Sequence, residues 1–130
     1  MLIHLRNFVI TFVVFFAIDL IWLGLIAKNL YAKHLGYIMA EKVNWTAAIL
    51  FYVLFIIGIL YFAITPATSL GNVMLSGALF GLISYATYDL TNLATIKSWP
   101  VIITVIDLVW GTTLSTLTAS ISYLIIDKLR

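Results

Sequence analysis

From Phe8 to Ala27 the chain runs for twenty residues with a single ionisable side chain, Asp19, and a single hydroxyl, Thr11. An apolar run of that length matches the hydrocarbon thickness of a bilayer when it is helical. A carboxylate near its middle costs about 2.5–3.5 kcal/mol even on lenient insertion scales. The segment therefore spans a membrane, and Asp19 faces something other than lipid. Three further apolar segments follow, and helices are expected over residues 7–30, 45–64, 70–95 and 100–126. The expected fold is all-α, an integral membrane four-helix bundle that uses residues 1–130 as a single transmembrane domain. An even number of spans puts both termini on the same side. Composition agrees: 64% hydrophobic and 9% charged residues, with a mean hydropathy of +1.16, leave too few polar side chains to cover a water-soluble globule.

The connections carry their own signals. "YAKHLGYIMAEKVN" is the longest and reads as an interfacial helix or loop, with Tyr31, Tyr37 and Trp45 at headgroup level. Thr65-Pro66 ends the second helix, because proline disfavours helical geometry in the residue before it, and Ser69 is placed to cap the third. Pro100 suits the first turn of the fourth. The run after His4 and Arg6 is long enough to span and lacks a clear small-residue cleavage pattern, so it reads as a retained first helix rather than a signal peptide. Lys28, Lys33, Lys42 and Lys97 on one side nearly balance Arg6, Lys128, Arg130 and the amino terminus on the other, which leaves orientation undetermined. A formal charge of +2 distributed over span ends carries no nucleic-acid signal, and the absence of cysteine excludes disulfides and thiolate chemistry.

The five acidic residues are Asp19, Glu41, Asp89, Asp107 and Asp127, and three of them fall inside expected spans. Counted from the span ends that share one side, Asp19 lies about 11 residues in, Asp89 about 6 and Asp107 about 7, so at 1.5 Å per residue the three fall within roughly 10 Å in depth. One shared polar site accounts for all three. Helical spacing gives each helix a matching face: Asn7, Thr11, Phe15, Asp19, Trp22 and Asn29 on the first, Tyr85, Tyr88, Asp89 and Asn92 on the third, and Thr104, Asp107, Gly111, Ser115, Thr118 and Ser122 on the fourth. The second helix has no ionisable group in its interior and reads as packing. Gly77 and Gly81 form a GxxxG that admits a close neighbour, either within the bundle or in a homo-oligomer.

Each feature also has a plainer reading. An intramembrane aspartate can simply accept hydrogen bonds and lock helices together. Trp22 and Trp110 each follow an aspartate by three residues and either donate inward or pack as ordinary aromatics. Trp99 reads as an interfacial belt residue, and Lys28 and Lys97 as side chains snorkelling to headgroups, although one of them is also a candidate to neutralise an aspartate. His4 and His34 lie outside the spans and read as solvated. "AIDLIWLG" in the first helix and "VIDLVWG" in the fourth are similar, as an ancestral duplication or as two helices solving one local problem.

Three aspartates and an asparagine without an interior histidine make a hard-oxygen set suited to Mg²⁺ or Ca²⁺ if any metal, but neither a metal nor any other cofactor is expected. No histidine is available for a nucleophilic triad. What remains is acid/base, hydrogen-bonding or electrostatic work by carboxylates. Asp19, Asp89 and Asp107 are the candidate catalytic groups, with Trp22, Tyr85, Tyr88, Asn92, Lys97 and Trp110 as candidate substrate contacts.

"DLIWLG", "YATYDLTNLATIKSWP" and "IDLVWG" together resemble the bacterial membrane proteins catalogued as domain of unknown function 2177. The likeness extends over essentially the whole chain and takes in Asp19, Trp22, Gly24, Tyr88, Asp89, Asn92, Lys97, Trp99, Pro100, Asp107, Trp110 and Gly111. It implies a four-helix, multi-pass protein of the cell inner membrane, in a family associated with fatty-acid and lipid-modification enzymes, and it supplies no residue roles. Three functions are consistent with the residues. The first is binding, with or without modification, of a lipid-like or small amphiphilic molecule, with membrane lipids as partners. The second is a small proton- or cation-coupled transporter or channel-like oligomer. The third is an accessory subunit of a lipid-modification system.

Overall fold

In a computed structural model describing residues 1–130, all regular structure is helical: α1 (Leu2–Trp22), a π-helical stretch (Leu23–Ala27), α2 (Lys28–Leu35), α3 (Trp45–Ile59), a second π stretch (Leu60–Ile64), α4 (Leu70–Thr95) and α5 (Val101–Lys128). α1 through α2 is continuous, so the chain has four spans, Leu2–Leu35, Trp45–Ile64, Leu70–Thr95 and Val101–Lys128, each long and apolar enough to cross a bilayer. The last three match the expected bounds within two residues. Their ends are fixed by local chemistry: Asn44 Oδ1 accepts from the Ala47 amide at 3.1 Å, Ser69 Oγ accepts from the Asn72 amide at 3.1 Å, and Pro100 precedes α5. The first span differs. It is expected over residues 7–30 and instead runs from Leu2 to Leu35, because nothing before Gly36 breaks the helix. At 34 residues it is about 51 Å long and outreaches a hydrocarbon core of about 30 Å.

α4 and α5 form the most extensive pair. Their closeness rests on small residues: an added Cβ on Gly81 would overlap the Gly111 carbonyl and Ser115, and one on Gly77 would press on Ala119. The GxxxG thus packs within the bundle, against the fourth span. Phe15, Phe55, Ile56, Ile59, Ala63, Ile64, Val73, Leu114, Ala119 and Ile126 build the core. The second span approaches the third most closely through Leu60–Ile64, with Gly58 and Phe55 meeting the Phe80 ring, and diverges beyond that. At the far end Leu35, Trp99 and Ile103 form a smaller cluster, and the Tyr37 hydroxyl donates to the Ser98 carbonyl at 2.8 Å, tying the first connection to the third.

Candidate functional site

Asp19, Asp89 and Asp107 are all buried, and Asp89 is without exposed surface. Large apolar side chains, by contrast, cover the outside of the bundle. This inside-out distribution is what hydrocarbon solvent imposes. Trp22 stacks on Trp110, ring centroids 4.5 Å apart and planes 10° apart, which places residues 22 and 110 of antiparallel helices at one level. Each aspartate precedes its tryptophan by three residues, so Asp19 and Asp107 lie on opposite sides of that level, about 9 Å apart along the bundle.

Each carboxyl has a different neighbourhood. Asp19 has the Trp110 indole as its neighbour. Asp107 accepts from the Tyr31 hydroxyl, and Tyr31 in turn lies within reach of the Trp22 indole. Asp89 faces Asp107 across the α4–α5 contact, and no N–H or hydroxyl of the protein reaches either of its oxygens. Two carboxyls facing each other in a low-dielectric interior stay together by sharing a proton or by accepting from a donor or cation placed between them. Tyr85 lies close to all three aspartates and to Tyr52. Its ring rests where a Cβ on Gly111 would otherwise be, so Gly111 makes room for it. No group of three or more histidines or acidic side chains converges tightly enough to hold a metal ion.

Tyr31 is the site residue that sequence reasoning missed, and the π stretch is the reason. Twelve residues at about 100° each would turn Tyr31 about 120° away from Asp19. The i→i+5 bonding of Leu23–Ala27 takes up one residue, and the remaining eleven steps leave the two about 20° apart. Buried and half-buried positions record the slip: Thr11, Phe15 and Asp19, then Trp22, Ala27, Leu30 and Tyr31. Asn29, expected on the polar face, is turned outward and exposed.

Other expectations also change. Lys97 is exposed at the turn and touches none of the aspartates. Trp99 is buried instead of lying in an interfacial belt; its indole donates to Thr104 Oγ1 at 3.0 Å, and Thr104 contacts the Asp89 carbonyl at 3.4 Å. Asn92 is half-buried and within reach of the Tyr88 hydroxyl. Tyr88 is 55% exposed, on the rim of the site. The second span is more than packing, because Tyr52 approaches Asp19 and Phe51 joins Ser84, Tyr85 and Tyr88 in lining a cleft of about 400 Å³ where the second and third spans diverge. That cleft faces the lipid side, and Tyr85 stands between it and the aspartates.

No curated protein and no solved structure matches the chain. The model of a family described as predicted membrane protein (DUF2177) matches residues 4–124, a stretch that includes every residue of the site just described, and the chain belongs to that family.

Proposed function

We propose that the protein binds an amphiphile whose polar end carries a hydrogen-bond donor, and that this end seats against Asp89 and Asp107. The observation that supports the reading is Asp89: fully buried, beside a second carboxyl, with no N–H or hydroxyl of the protein at either oxygen. A hydroxyl, amine or amide of a ligand supplies the missing donor. The ligand's apolar part lies in the cleft of Phe51, Ser84, Tyr85 and Tyr88, so entry is sideways from the bilayer. Asp19, Tyr31 and Tyr85 complete the polar wall, with the carboxyl pair as the group able to take or return a proton. An all-helical four-span chain also fits the cell inner membrane, since outer membranes are spanned by closed barrels.

A second reading, a proton- or cation-coupled transporter, draws on one observation. Ser115, Thr118 and Ser122 continue the buried face of α5 away from Asp107, and their hydroxyls have no partners. The close packing of Gly77 and Gly81 against Ser115 leaves little room for water where the stripe meets the Asp107 end, which favours the first reading.

Mass spectrometry of lipids and small amphiphiles co-purifying with wild type and Asp89→Asn separates the two. The binding reading expects a species retained by wild type and depleted at least tenfold in the variant. Identical bound species, together with proton or cation flux in liposomes that the substitution abolishes, would sink it in favour of transport.

A further inference from the structure

At the end of the bundle opposite the first connection, the start of α1, the residues after the second span and the end of α5 enclose a recess of about 430 Å³. Its polar lining is His4, Arg6, Asn7, Thr65 and Arg130. Arg6 is half-buried, and its Nε and Nη2 donate to Asn7 Oδ1 at 3.2 and 3.0 Å. The guanidinium is thereby held in one orientation with donors still free. The only carboxylate side chain at this end, Asp127, is exposed and hydrogen-bonds to neither arginine. The rim of the recess carries exposed apolar side chains: Ile3 is 61% exposed and Leu129 52%. Thirteen residues of helix separate Arg6 from Asp19, about 20 Å, so this is a place distinct from the aspartates.

We propose that this recess is a binding site for the anionic phosphate head group of a membrane phospholipid. The chemistry required is a phosphate ester, since a planar guanidinium with fixed orientation pairs with two phosphate oxygens at once, while Asn7, Thr65 and His4 offer neutral donors. The apolar collar selects a phosphate that carries acyl chains over one that is free in solution. Fixing Arg6 through Asn7 distinguishes the site from a diffuse positive surface, which salt would screen.

The test is native mass spectrometry of the full chain, delipidated in a non-ionic detergent and titrated separately with phosphatidylglycerol, with diacylglycerol and with inorganic phosphate. One phosphatidylglycerol should bind per chain. Arg6→Gln should weaken it at least tenfold, Arg6→Lys nearly as much because the charge remains but the two-pronged geometry is lost, and Lys97→Gln, at the opposite end, not at all. Diacylglycerol should not compete, and inorganic phosphate should compete only weakly. Wild-type affinity in Arg6→Lys would reduce the recess to a charge patch and overturn the proposal, as would equal losses in Arg6→Gln and Lys97→Gln. Efficient displacement of the lipid by millimolar inorganic phosphate would show that a soluble anion, and not a lipid, is the ligand. The phosphatidylglycerol binding that Arg6→Gln removes should survive in Asp89→Asn, which keeps this result separate from the fate of the aspartate site.

Discussion

At the scale of single residues, the site is defined by what each aspartate lacks or has. Asp107 has the Tyr31 hydroxyl, Asp19 has the Trp110 indole nearby, and Asp89 has only the Asp107 carboxyl, with no N–H or hydroxyl at either oxygen. Asp89→Asn puts an amide N–H opposite Asp107, and because hydrogen bonds to a charged group contribute about 1.5–3 kcal/mol, the variant should unfold a few degrees above wild type while losing its co-purified ligand. A lower midpoint would mean that the native carboxyl already has a partner. Tyr31→Phe works the other way: it strips a donor from a buried carboxyl and should cost about 1.5–3 kcal/mol in thermal unfolding, with weaker ligand retention. The three aspartates were legible in the sequence because charge in hydrocarbon is expensive wherever it occurs. Trp99 was not, since an indole reads the same whether its N–H reaches headgroup water or, as here, Thr104.

At the scale of helices, caps and prolines made the last three spans readable almost to the residue, whereas the first was readable only up to Trp22. Beyond it the face changes by one residue in the π stretch, and a count that assumes a uniform turn per residue selects Asn29 where the structure selects Tyr31. Gly24 sits in that stretch with open space around it. Deleting it should convert the stretch to ordinary α-helix, keep Tyr31 on Asp107, and leave the thermal midpoint near wild type. Deleting Val13, by comparison, rotates everything after it by about 100° and should prevent folding. If both deletions behave alike, the π stretch is not what sets the register. On α5, Gly111→Ala drives a methyl into the Tyr85 ring and should destabilise by about 1–3 kcal/mol, the usual range for overpacking, while displacing Tyr85 from the aspartates.

For the molecule as a whole, the polar interior and the cleft belong to one design. The second span's backbone comes closest to the third at Leu60–Ile64, with Phe55 reaching Phe80 and Tyr85 by its ring alone, and the wedge left above leads past Tyr85 toward the aspartates. Ser84→Trp should fill the wedge without touching any carboxyl. We expect unchanged stability and loss of the bound amphiphile in lipid mass spectrometry; retention of the amphiphile would mean that entry is elsewhere. The architecture was legible from length and hydropathy alone, but the wedge was not. It depends on how far two apolar helices lean apart, and lipid-facing leucines and isoleucines tolerate many angles equally well.

The bond between Tyr31 and Asp107 joins residues 76 positions apart, and that separation has a meaning in time. At a synthesis rate of about 5–20 residues per second, Asp107 emerges about 4–15 s after Tyr31. Throughout that interval Asp19 is in the membrane without Trp110, and from its own emergence Asp89 has no Asp107 to face. The bundle is therefore completed by its last helix, and a chain stalled before α5 presents to the cell's quality control two intramembrane carboxyls that have not yet met their site.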